Sequence, residues 1–248
     1  MSGHSKWNTI KRKKAKTDAE KGKVFTRLIK ELTIAARHGG GDEEANPRLR
    51  SAIMAAKNAN MPWANIERAI KRGTGELPGV NYEEIVYEGY GPGGVALYIE
   101  VLTDNKNRTV AEIRHLLARH GGSLGENGSV AWMFSKKGTI TVLKEKISED
   151  DLMMIALDAG ADDIEQEDES FIIKTETSNL ESVKKALAGN NIEIESAEVT
   201  MEASNTIKVE GKNAESLLKL MDALEEHDDV QNIYSNFDIE DSVLESMK

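Results

Sequence analysis

The chain contains no cysteine. That excludes disulfides, thiolate catalysis, cysteine-ligated zinc modules and iron–sulfur clusters, and it fits a reducing cytoplasm. Aromatic residues amount to only 5%, and no RNP-type aromatic motif stands among them. There is no apolar run near the roughly 18 residues that a membrane span needs. The first residues, Met1-Ser2-Gly3-His4-Ser5-Lys6-Trp7, lead into charge, so no secretory signal is expected. Proline occurs four times, and each proline falls at an expected break between elements.

What is present describes a globular protein. Hydrophobic residues make up 39% and charged residues 30% of 248 positions. That length allows one large domain or two to three small ones. The net charge of −11 conceals a split. Residues 1–80 hold 17 basic and 8 acidic side chains, whereas the remainder holds 15 and 35. A basic N-terminal unit that meets polyanions, followed by an acidic body that does not, is the organisation this implies.

Lys6, Lys11, Arg12, Lys13, Lys14 and Lys16 form a cationic arm. From Val24 to His38 the spacing predicts a helix, with Val24, Phe25, Leu28, Ile29, Leu32, Ala35 and Ala36 on one side. Lys23, Arg27, Lys30 and Arg37 lie on the other side, with Ile34 the exception among them. Asn46-Pro47 starts a second helix and Met61-Pro62 ends it. A third runs through Ile66, Ala69 and Ile70 to Gly73. Beyond Pro78-Gly79, strands are expected over 83–88, 95–103 and 130–135, with a helix over 107–120. Residues 139–202 then scan as strand, helix, strand, strand, helix, strand, the order of a ferredoxin-like split βαβ unit. A strand, helix and strand over 206–237 follow. The expected fold class is multidomain α+β, with an N-terminal helical domain followed by two α/β domains. The boundaries are 1–78 for the helical domain, 79–135 plus 205–240 for a discontinuous α/β domain, and 136–204 for an inserted ferredoxin-like domain. Three consecutive domains are the rival arrangement.

Several stretches resemble the YebC family. They include Gly3-His4-Ser5-Lys6-Trp7, Asn46-Pro47-Arg48-Leu49-Arg50, Asn60-Met61-Pro62 and Asn65-Ile66-Glu67-Arg68-Ala69-Ile70-Lys71-Arg72-Gly73. Tyr87-Glu88-Gly89-Tyr90-Gly91-Pro92-Gly93-Gly94, Thr103-Asp104-Asn105-Lys106-Asn107-Arg108-Thr109 and Gly128-Ser129-Val130-Ala131-Trp132-Met133-Phe134 continue the series. The resemblance implies three domains and a cytoplasmic regulator of gene expression without a known catalytic activity. Members of the family have been labelled DNA-binding transcriptional regulators. Others, including the mitochondrial translational activator of cytochrome c oxidase, look like translation factors acting at the ribosome.

The candidate nucleic-acid contacts are Lys6, Trp7, Lys11, Arg12, Lys13, Lys14, Lys16, Lys23, Arg27, Lys30, Arg68, Lys71 and Arg72. Cations on such supports bind phosphate with steep salt dependence and little sequence preference. Trp7 either stacks on an exposed base or anchors the arm to the helical domain. Tyr90, Gly91, Pro92, Gly93 and Arg108 are candidate loop contacts. The glycine-rich segment lacks the Gly-Lys-Ser/Thr end of a P-loop, so it reads as a hairpin, or as a tip that enters a narrow RNA site. No helix-turn-helix signature is evident. No nucleophile motif, cofactor motif or metal set emerges either. His115 and His120 are five apart, His227 has no obvious sequence partner, and Asp162-Asp163 and Glu225-Glu226 read as surface charge. The expected partners are DNA or, alternatively, ribosomal RNA. Basic ribosomal or transcription proteins are expected on the acidic body.

Overall fold

A computed structural model describes residues 18–167 and 169–240, with side chains described from residue 22 onward in the first helix. The fold is mixed α+β, an N-terminal helical region with antiparallel sheets. The chain divides into two compact units, one of residues 132–205 and the other built from the segments on either side of it. Among the described residues, no helix is long and apolar enough to cross a membrane.

In the larger unit, three helices come first: α1 (Asp18–Gly39), α2 (Pro47–Asn58) and α3 (Trp63–Thr74). Their apolar stripes meet in a core that includes Leu32, Ala36, Leu49, Ile53, Ala56, Met61 and Ile66. Asn46 joins the first two. Its side-chain oxygen accepts from Leu49 N–H and caps α2, while its amide nitrogen donates to Ala35 O and Gly40 O. Gly73 does not end α3 as the spacing suggested. It lies inside the helix and is buried, and a Cβ there would stand 2.3 Å from Thr33 O. A glycine is needed because α1 and α3 cross at that point. The helix ends one residue beyond Thr74, at Gly75, whose φ of 86° is the left-handed region.

The sheet of this unit contains β1 (Glu83–Tyr90), β2 (Ala96–Thr103), β3 (Ser123–Leu124) and β9 (Val230–Ser235), in the order β3-β1-β2-β9. β2 pairs antiparallel with both β1 and β9. The helices α4 (Lys106–Arg119) and α7 (Gly211–Glu225) supply Ile113, Leu117, Leu217, Leu218, Met221 and Leu224 to a core with Leu97, Ile99 and Ile233. Two residues of β8 (Ile207–Lys208) pair in parallel with β10 (Phe237–Asp238).

The smaller unit runs β4 (Phe134–Leu143), α5 (Glu149–Asp158), β5 (Ala161–Gln166), β6 (Ser170–Thr175), α6 (Leu180–Gly189) and β7 (Ser196–Ala203). Its four strands are ordered β5-β6-β4-β7, all antiparallel neighbours. Ile140, Val142, Phe171 and Ile173 pack against Leu152, Ala156, Val183 and Leu187. The separate strand expected over 130–135 is corrected. Residues 131–133 form a short 3₁₀ turn, and Phe134 opens one continuous strand that pairs with β7 from Phe134 to Thr141. Gly138, in the gap between the two expected strands, sits within β4, where a Cβ would meet Thr175 at 2.8 Å.

Candidate nucleic-acid interface

The arm residues Lys6, Trp7, Lys11, Arg12, Lys13, Lys14 and Lys16 lie outside the described residues. The remaining candidates divide by what their charges already touch. The side chains of Arg68 and Arg72 stand exposed on α3 and make no hydrogen bond or ion pair among the described residues. Lys23 is exposed near the start of α1. Lys71 pairs with Glu67 one turn away, at 2.8 Å, and is half-exposed. Such a pair is weak enough to exchange for a phosphate.

The reading of Arg27 and Lys30 as nucleic-acid contacts is corrected. Lys30 is buried, and so is Ile34 one turn on. The Lys30 ammonium donates to Asp229 Oδ1 at 2.6 Å, to Asp228 O at 2.9 Å and to Leu102 O at 3.3 Å. Arg27 is half-buried and donates to Glu225 O, and Arg37 donates to Val80 O. These three cations fasten α1 to the rest of the unit. A buried ammonium needs a paired anion and satisfied donors, and Asp229 supplies the anion.

Asp229 is the centre of this joint. Its second oxygen accepts from Arg108 Nη2 at 2.8 Å, Thr109 Oγ1 at 2.7 Å and Thr103 Oγ1 at 3.1 Å. Burial alone would raise the carboxyl's proton affinity. Hydrogen bonds from Lys30, Arg108 and Thr109 outweigh it and hold the group well below the usual carboxylate range. Arg108 also reaches Asp104 at 2.9 Å and Glu112 at 4.0 Å, so this candidate for phosphate contact already spends its charge on three carboxylates. His227 has a partner after all: its Nε2 lies 2.9 Å from Glu112 Oε2, and its Nδ1 accepts from Asp229 N–H. Glu112, His227 and Asp229 place three potential ligand atoms within 4.8 Å. The chemistry of the set does not suit a divalent cation, because Lys30 and Arg108 already occupy the Asp229 oxygens.

The glycine-rich loop divides in two. Gly91 and Pro92 are buried, and a Cβ on Gly91 would lie 2.9 Å from Leu217 Cδ1. They are core residues, which corrects their reading as loop contacts. Tyr90 donates to Ser129 O at 3.1 Å. Only Gly93 and Gly94, with φ of 80° and 78°, form an exposed tip. Glu88, just before the loop, is buried and accepts from the backbone N–H groups of Gly128, Val130 and Ala131 at 2.6–2.7 Å. A cleft lined by Ile29, Thr33, Arg72, Val80 and Tyr82 encloses about 200 Å³, less than small-molecule sites usually offer.

Two residues missed in the sequence belong with this surface. Trp63 is 54% exposed at the first turn of α3, and the Lys57 ammonium stands 5.5 Å from its ring centroid. The available signal was Met61-Pro62, which breaks the chain and mounts the next residue at a helix start.

Comparison with known proteins places this arrangement. Residues 5–76 match the TACO1/YebC protein N-terminal domain, and residues 82–237 match the TACO1/YebC second and third domain. A protein of Pelotomaculum thermopropionicum is 60% identical over 243 residues, covering 97% of this chain and 100% of the relative. One of Syntrophobacter fumaroxidans is 58% identical, covering 99% of each. Both are named "Probable transcriptional regulatory protein". The crystal structure of a conserved hypothetical protein from Aquifex aeolicus superposes with a TM-score of 0.84 at 47% identity, covering 92% of this chain and 94% of that one. The chain belongs to the TACO1/YebC family.

Proposed function

We propose that this protein is a non-enzymatic, cytoplasmic regulator of gene expression that binds nucleic acid through its basic N-terminal region. The carrying observation is the separation of charge. Residues 1–80 hold a large excess of cations, and Arg68 and Arg72 remain unpaired among the described residues on an ordered helix. The names of the relatives favour transcription, for which DNA is the target proposed. A ribosome-associated translation factor that binds ribosomal RNA is the second reading, favoured by the exposed Gly93-Gly94 tip, whose backbone can approach RNA closely. In both readings the acidic body faces away from the polyanion or meets basic proteins.

The domain division belongs to the same proposal: a helical domain over 1–78, an α/β domain from 79–135 plus 205–240, and a ferredoxin-like insertion over 136–204. The pairing of β2 with β9 and the β5-β6-β4-β7 strand order support it.

The test is crosslinking in cells, with sequencing of bound RNA and DNA. The control is a folded variant with Lys11, Arg12, Lys13 and Lys14 changed to Glu. Arm-dependent promoter peaks with background ribosomal RNA establish the transcriptional reading. Arm-dependent ribosomal RNA without discrete DNA sites establishes the translational one. No arm-dependent nucleic acid of either kind refutes both.

A further inference from the structure

We infer that Trp63 and Lys57 form a stacking platform for an unpaired nucleobase, so that the helical domain prefers single-stranded to duplex nucleic acid. The inference deepens the polyanion-binding reading and rests on it. Three observations carry it. The first is exposure of a large flat ring: Trp63 is 54% open to solvent on a protein with only three tryptophans. The second is rigid mounting. Asn60, at φ 57°, turns the chain between α2 and α3. Asn60 N–H donates to Lys57 O, Met61 N–H to Ala56 O and Asn65 N–H to Pro62 O. Met61 and Ile66 are buried on either side of the ring's backbone. The indole is therefore held outward by a packed turn.

The third observation is the charge around the ring. Of the six basic side chains in residues 47–74, Arg48, Arg50 and Lys71 are held by carboxylates or carbonyls, which leaves Lys57, Arg68 and Arg72. The Lys57 ammonium stands over the indole and makes no hydrogen bond or ion pair among the described residues. Met54, one turn before Lys57 on α2, is also 54% exposed. A cation beside an exposed aromatic ring suits a nucleotide, whose base stacks while its phosphate meets the ammonium. An acidic protein segment would use the charge but not the flat ring. A duplex keeps its bases stacked on each other and offers the ring nothing but backbone. Sequence preference should be slight, because every base has a π-face.

The experiment uses the full chain with Trp7→Phe and Trp132→Phe, which leaves Trp63 as the reporter. Fluorescence is followed while short oligothymidylate, oligouridylate and a duplex of equal length are added over a range of salt. Quenching by one or both single strands, and not by the duplex, is expected. Which strand quenches more strongly distinguishes a DNA source from an RNA source. Trp63→Ala, made in the otherwise natural chain, should weaken single-strand binding about tenfold with the salt slope unchanged. Trp63→Phe should restore most of the loss. Lys57→Met should lower the salt slope by about 0.7. Salt-sensitive binding that neither quenches Trp63 nor responds to Trp63→Ala overturns the platform and leaves the polyanion reading standing. The absence of salt-sensitive binding to all three ligands overturns the polyanion reading, and the platform with it.

Discussion

Changing Asp229 to Asn should be the most damaging single-atom substitution in the larger unit. The carboxylate is 5% exposed and the Lys30 side chain 8% exposed, with 2.6 Å between them. Removing one partner of a buried pair leaves an uncompensated charge and costs about 3–5 kcal/mol. Leu102 O and Asp228 O still accept from Lys30, so the lower half of that range is expected. The new amide also turns N–H groups toward donors that had faced an oxygen. Lys30→Met is the contrasting change. Asp229 would keep Arg108, Thr103 and Thr109, while the carbonyls of Leu102 and Asp228 would lose the ammonium, and the cost should fall to about 1.5–3 kcal/mol, the range for charged hydrogen bonds. The double variant should cost less than the sum of the two. Urea unfolding followed by circular dichroism measures these differences, and hydrogen exchange in α1 and β2 locates them. The pH dependence follows from the lowered carboxyl. Its stabilisation is fully present above the unfolded value near 3.9 and is lost as pH falls toward the folded value. The gap between wild type and Asp229→Asn should therefore be constant from pH 8 to about pH 5 and narrow only below about pH 4. A variant within about 1 kcal/mol of wild type at neutral pH would refute the buried joint.

Glu88→Gln replaces an acceptor of three backbone N–H groups by a side chain that can serve only some of them. A loss of about 2–3 kcal/mol is expected, with faster amide exchange at Gly128, Val130 and Ala131 as the localising measurement. Gly73→Ala forces a methyl to within 2.3 Å of Thr33 O. Thermal melts should show about 1–3 kcal/mol of destabilisation from the displaced helix, and unchanged stability would mean that α1 and α3 are not in close contact there. Arg68→Gln with Arg72→Gln should leave stability within about 0.5 kcal/mol of wild type and lower the salt slope of nucleic-acid binding by roughly 1.4–1.8. An unchanged slope would remove α3 from the interface.

The parts of the fold that were legible are those set by local pattern. The stripe of Leu28, Ile29, Leu32, Ala35 and Ala36 marked the packed side of α1 because a 3.6-residue period reports burial against any neighbour. Asn46-Pro47 marked the start of α2 because capping is a local event. The opposite side of α1 was misread for the converse reason. A lysine at that position looks solvated, and the carboxylate that buries it comes 199 residues later. Gly73 reads as a stop, and the strand before 139 reads as separate, because glycine ends elements more often than it permits close contact; Gly138 lies in that gap. Here both are places where neighbouring atoms leave no room for a Cβ. Trp63 is not legible in the sequence because its meaning depends on exposure, which a single aromatic beside a proline does not reveal.

Formal charge overstates what the helical region can offer a polyanion. Ten basic side chains stand between residues 22 and 78. Arg27, Lys30 and Arg37 are committed to the joint. Arg48 is held by Glu31 and Glu84, Arg50 by the carbonyls of Glu43 and Glu44, and Lys71 by Glu67. Lys23, Lys57, Arg68 and Arg72 remain without a hydrogen bond or ion pair among the described residues. Residues 1–17 alone carry six more cations. If phosphate contact draws on unspent charge, the arm should supply the larger share of the salt slope and the helices the smaller. The helices contribute a fixed geometry. Reversing the arm's charges should therefore weaken all polyanions alike, whereas substitutions around Trp63 and Arg68 should change which polyanion is preferred.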